Sequence, residues 1–144
     1  MTDMLTPRRL RRLIYASAFS GRAKALSEAL GDILAKSIQN NRLVGVTGKL
    51  IVGDGRFLQL LEGPAVSVGE VYERIAGDPR HTELTILCDT TAEQRLYRDW
   101  SMAHHQIGPA DRGVLRDLGV DVFAPDRLDA QKALELFTRL NARP

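Results

Sequence analysis

Cysteine is nearly absent: Cys88 stands alone among 144 residues. A single thiol closes no intrachain disulfide and excludes a zinc site built from several cysteines. Long apolar runs are missing too, and none approaches the ~20 residues that span a bilayer. No secretory leader is legible at the start, where Arg8, Arg9, Arg11 and Arg12 surround only Leu10. These absences predict a cytoplasmic protein with no membrane partner. Charge of one sign is also scarce. The net charge is +2, and that arginine cluster carries four positive charges, so the rest of the chain nets −2. A nucleic-acid binder shows a basic face across the domain. Here the cluster reads as the solvated start of a first strand, and no nucleic-acid partner is expected. The G-x-S-x-G elbow, the P-loop, H-E-x-x-H and the Rossmann glycine pattern are all missing, and no internal repeat is visible.

What is present is ordinary for a folded domain: 44% hydrophobic and 26% charged residues. Alternation over 10–17 predicts a first strand with Leu13, Tyr15 and Ser17 on one face and Arg12, Ile14 and Ala16 on the other. Leu26, Leu30, Ile33, Leu34 and Ser37 recur at helical spacing, predicting a helix over 23–40 that stops at Asn40-Asn41-Arg42. A hairpin follows, with arms at 46–52 and 56–62 and Gly53-Asp54-Gly55 as its turn. On the second arm Phe57, Gln59 and Leu61 share a face. Pro64 suits the first turn of the next helix, whose apolar stripe is Val68, Val71, Tyr72 and Ile75 and which ends before Asp78-Pro79. Strands are expected at 82–89 and 97–104, a short helix at 112–118 and a longer one at 126–140 with Ala133, Phe137 and Leu140 on one stripe. The order β-α-β-β-α-β-β predicts an α+β, ferredoxin-like core with an additional strand, two helices on one sheet face and a C-terminal helical extension. The tail helices either cover the other sheet face or present that stripe to a partner or a second copy.

Two polar residues break the apolar pattern. Tyr15 and Gln59 lie on strand faces shared with apolar neighbours. A buried amide without a partner costs about 1–3 kcal/mol, so Gln59 should be hydrogen-bonded. Tyr15 is the candidate partner, because the first and third strands adjoin in such a sheet. Other readings are plainer. His104 and His105 point to opposite faces and do not ligate one metal together, and no metal site is expected. Cys88 beside Leu87 reads as core. His81 with Asp78 offers an acid–base pair, the basis of an alternative reading as a small hydrolase.

Several segments together resemble the BLUF family of flavin-binding blue-light sensors. They are Leu13-Ile14-Tyr15-Ala16-Ser17, Asn40-Asn41, Val46-Thr47-Gly48, Phe57-Leu58-Gln59-Leu60-Leu61-Glu62-Gly63, Asp78-Pro79-Arg80-His81 and Trp100-Ser101-Met102, in the family's order across about residues 9–105. The resemblance implies non-covalently bound FAD, with FMN or riboflavin as substitutes, its ring lying between the two sheet-packed helices. It implies a photoactive set of Tyr15, Gln59, Trp100 and Met102, with either Trp100 or Met102 next to Gln59. It also implies flavin contacts from Ile33, Ser37, Asn41, Ile75, Asp78, Arg80 and His81. Arg22 and Lys24 are candidates for the phosphates from charge and position. Residues 1–108 would then form the photosensory domain and 109–144 a two-helix extension packed on the sheet. The tail carries no recognisable output enzyme, so the chain resembles a short stand-alone member that signals to an unidentified downstream protein or through a homodimer. A light-insensitive binding module that has lost its flavin is the remaining alternative.

Overall fold

Alternation divides the first strand, β1 (Leu10–Phe19), into two buried faces. A computed structural model shows its surroundings and describes residues 10–20, 23–98, 103–120 and 122–141. After β1 come α1 (Ala23–Val44), β2 (Thr47–Gly53), β3 (Arg56–Gly63), α2 (Ala65–Ala76), β4 (His81–Ala92), β5 (Ala103–Gln106), α3 (Arg112–Asp117) and α4 (Ala130–Asn141). The five strands form one sheet in the order β4-β1-β3-β2-β5. β1 is antiparallel to β3 and β4, β2 is antiparallel to β3, and β2 is parallel to β5. This is the expected ferredoxin-like α+β core with one strand added at the β2 edge.

The hairpin turn between β2 and β3 is as short as the sequence allows. Gly53 pairs with Arg56, leaving Asp54 and Gly55 as the turn, with φ of 50° and 73°. Positive φ at both positions matches the right-handed twist of the flanking strands. One face of the sheet carries Leu13, Tyr15, Phe57 and Leu61 against Ile33 of α1 and Val68 and Val71 of α2. The opposite face carries Ile14, Ala16, Ile51, Leu58 and Leu60 against Leu115, Leu118, Phe123, Ala133, Leu136, Phe137 and Leu140. The stripe of α4 is therefore a sheet cover. Each such side chain contributes roughly 1.5–3 kcal/mol by leaving water, enough to hold the tail on the sheet.

The structure corrects several expected boundaries. α1 does not stop at Asn40 but runs to Val44, because Asn41 faces the core and Gly45, at φ 72°, supplies the left-handed cap. The Val46 N–H then donates to the Asn41 carbonyl at 3.0 Å, closing the helix end. Pro64 precedes α2 as its cap residue instead of lying inside the first turn. The strand expected at 97–104 appears as Ala103–Gln106. Tyr97 is not on it: it is 3% exposed and packs in the core beneath the tail. The helix expected from Asp126 begins at Ala130. Asp126 sits in a 3₁₀ turn, and Asp129 caps α4 by accepting from the Lys132 N–H at 2.7 Å.

Candidate functional site

The β1–β3 register sets Tyr15 opposite Gln59. Both are buried, at 0% and 2% exposure, and the Tyr15 hydroxyl donates to Gln59 Oε1. The ring of Tyr72 from α2 meets the Tyr15 ring edge-on, with centroids 5.0 Å apart. Burial pushes the Tyr15 phenol well above its usual value, so it stays protonated as a donor.

A cleft of about 90 Å³ opens between α1 and α2. Ile33, Ser37 and Asn41 reach it from α1 at successive i,i+4 positions, and Val71 and Ile75 reach it from α2 with the same spacing. Asp78, Arg80 and His81 close it from the turn into β4. Seven of the residues singled out in the sequence thus meet at one place. Tyr15 and Gln59 do not line the cleft. Tyr15 lies in the same apolar cluster as Ile33 and Val71, which do.

The charged rim is tightly held. Arg80 donates through Nε to Asp78 Oδ1 at 3.0 Å, through Nη2 to Asp78 Oδ2 at 2.6 Å and through Nη1 to Asp32 Oδ2 at 2.9 Å. The Arg80 guanidinium pulls the Asp78 carboxyl down to about 2. His81 is 7% exposed, with Nδ1 3.1 Å from Ser17 Oγ and its ring centroid 4.9 Å from that of Phe57. Burial lowers its pKa and favours the neutral ring. The acid–base pair of the alternative hydrolase reading is not assembled: the Asp78 carboxylate bonds Arg80 and the His81 imidazole lies against Ser17.

Sequence reasoning missed Lys36, Asn40 and Arg74, which also line the cleft. It also missed Tyr72 as a neighbour of Tyr15, and Ser17 as the partner of His81. Lys36 follows Asp32 by four residues, a legible helical ion pair, but the Ser17–His81 contact spans 64 residues and left no local signal. Trp100, Met102 and Arg22 lie outside the described residues, and so does the Lys24 side chain. His105 pairs with Asp111 at 3.1 Å, away from the cleft. Cys88 is partly buried against the core beneath the tail, and burial raises its thiol pKa. Among the described residues no group of three or more His, Cys, Asp or Glu side chains could hold a metal ion.

The donor set fits a planar polar ring. Ile33 and Ile75 offer aliphatic walls, and the buried Asn41 amide can both donate and accept along a heterocycle's edge. Ser37 and Arg80 add polar groups at the same cleft.

The fold is thus a ferredoxin-like sheet with a cleft between its two helices and a buried tyrosine–glutamine pair whose tyrosine shares an apolar cluster with two of the cleft walls. Residues 10–103 match the family model described as sensors of blue-light using FAD. The chain is 32% identical over 98 residues to photoactivated adenylate cyclase subunit alpha of Euglena gracilis, covering 68% of this chain and 10% of that protein. It is 29% identical to BlsA in its photo-activated state, with a TM-score of 0.87 over 94% of this chain and 96% of that one. BlrB, a BLUF protein in its dark state, is 27% identical with a TM-score of 0.69 over 95% and 98% of the two chains. This chain belongs to the BLUF family, the sensors of blue light using FAD. It is a flavin-binding photoreceptor by family, and the family model describes a sensor.

Proposed function

We propose that blue light reverses the hydrogen bonding of Tyr15 and Gln59 beside a non-covalently held flavin, and that the change passes through β5 and the C-terminal helices to a partner protein. The observation that carries this reading is the buried Tyr15–Gln59 hydrogen bond, placed in the same apolar cluster as the cleft walls Ile33 and Val71. Ile33 and Ile75 would hold the faces of the ring, and Ser37, Asn41, Asp78, Arg80 and His81, which line the same cleft, its polar edge. FAD is the family's flavin, and FMN or riboflavin satisfies the same ring contacts. Bound flavin supplies a strong oxidant when it absorbs blue light. Tyr15 yields an electron, and its proton moves along the existing bond to Gln59 Oε1. Gln59 is both donor and acceptor, so its amide turns over or changes tautomer. Once Tyr15 has recovered its proton, Gln59 would be left with its donor and acceptor ends exchanged.

Residues 1–108 act as the sensory unit and 109–144 as the extension that reports its state. The receiver is a downstream protein, or a second copy of this chain, in the cytoplasm. No nucleic acid or membrane takes part. No described helix is long and apolar enough to cross a membrane. The cyclase named in the Euglena relative belongs to that protein; here the output is a change of surface.

The test is a light-minus-dark absorbance spectrum of the purified chain. A flavin spectrum with a small, reversible red shift is expected. Tyr15→Phe and Gln59→Leu should each keep the flavin and lose the shift. A normal photocycle in either variant would overturn the role given to that residue.

A further inference from the structure

The most deeply buried charge in the described structure lies outside the cleft. Glu62 is 0% exposed, and it follows Gln59 by three residues on β3, so the two side chains leave opposite faces of the sheet. Its carboxylate is fully employed. Oε1 accepts from the Leu96 N–H at 2.8 Å and the Tyr97 N–H at 3.1 Å, while Oε2 accepts from Arg12 Nε at 2.8 Å. Arg95 reinforces the arrangement by donating to the Glu62 carbonyl at 3.2 Å and to the Gly45 carbonyl at 2.8 Å. The segment that leads from β4 toward β5 therefore hangs from the end of the glutamine strand. Tyr97 then reaches the tail. Its ring lies 6.4 Å from that of Phe137 on α4, its hydroxyl donates to the Phe137 carbonyl at 3.4 Å, and Lys49 Nζ sits 5.6 Å from the ring centroid.

We propose that Glu62 is a positioning residue for signalling, coupling the strand that carries Gln59 to α4 through the Tyr97 backbone and ring. This rests on the sensory reading above. A buried ion pair is weak evidence for stability, because desolvation offsets the attraction. What Glu62 provides is position: two main-chain amides and one guanidinium converge on one rigid side chain. Any displacement of β3 at Gln59 moves that carboxylate, and with it the two amides and the ring packed on Phe137. A light-driven change reaches α4 only if the two states differ in these contacts.

The experiment uses the full chain with its flavin. Amide hydrogen exchange of 130–141 is measured in the dark and under blue light, alongside the absorbance shift. Glu62→Gln keeps the size of the side chain but turns an –NH₂ either toward Arg12 or toward the Leu96 and Tyr97 amides. The expected result is a retained red shift with the light-induced exchange change in α4 reduced at least threefold. Tyr97→Leu, which leaves Glu62 intact and removes the ring and hydroxyl contacts to Phe137, should do the same, and it decides the matter if Glu62→Gln does not fold. A red shift with an undiminished α4 response in these variants overturns the proposal. So does a wild-type chain that shifts without any α4 response. A wild-type chain with no red shift overturns the sensory reading itself.

Discussion

Tyr15 and Gln59 stand directly opposite each other on neighbouring antiparallel strands, and the phenol donates to the amide oxygen in a site closed to water. Altering Gln59 takes the acceptor from the Tyr15 hydroxyl, and altering Tyr15 takes a donor from the Gln59 amide oxygen. The site's chemistry and part of its stability therefore rest on the same bond.

That coupling is measurable. Tyr15→Phe and Gln59→Leu should each cost about 1–3 kcal/mol, because each removes the buried hydrogen bond between them. The double variant should cost clearly less than the two losses added, since replacing both partners with apolar groups removes the unmet demand. Urea denaturation of all four chains at one flavin concentration checks this. Additive losses would show that the two side chains are energetically independent.

Two depressed pKa values give stability a defined pH dependence. Burial lowers the His81 pKa, so the unfolded chain takes up that proton first and stability falls as the pH drops through about 6.5. Arg80 lowers Asp78 from 3.8 to about 2, so its contribution is complete above the unfolded value and is lost as the pH falls through the folded one. Urea midpoints followed from pH 8 downward should show two declining windows. Asp78→Asn should flatten the lower one and, by removing a carboxylate that raises the His81 pKa, deepen the upper one; an unchanged profile in that variant would show that the ion pair adds no pH-linked stability.

The tail is expected to behave as part of the core. Phe137 is 0% exposed, and Phe137→Ala should cost about 3–5 kcal/mol, read as a lower thermal midpoint. The dark flavin spectrum should stay the same, because Phe137 lies on the sheet face opposite the cleft. A midpoint within error of wild type would mean that α4 is dispensable to the fold, and would favour a docking surface over a sheet cover.

Much of this was legible in the chain because it depends on near neighbours. Alternation at 13, 15 and 17 and at 57, 59 and 61 placed Tyr15 and Gln59 on apolar faces, and helical spacing put Ile33, Ser37, Val71 and Ile75 on inward stripes. The helix end was misplaced because asparagine at 40–41 is compatible both with a cap and with a buried helical position. The alternative of an acid–base pair from His81 and Asp78 did not hold, because nearness in sequence does not choose between competing partners. Arg80 offers the carboxylate a bidentate charged bond, and Ser17 offers the imidazole a buried one.

The backbone's periodicities are enough to order the strands and helices, sort their faces and set the hairpin turn, since each arises within a few residues. Other features required the folded chain. The pairing of Tyr15 with Gln59 comes from the β1–β3 register. The meeting of α1, α2 and the β4 turn around one cleft comes from packing both helices on one face. The choice of α4 as a sheet cover follows from an apolar face that had to leave water, and the burial of Glu62 follows from three donors, from Arg12, Leu96 and Tyr97, that converge only when distant segments are brought together.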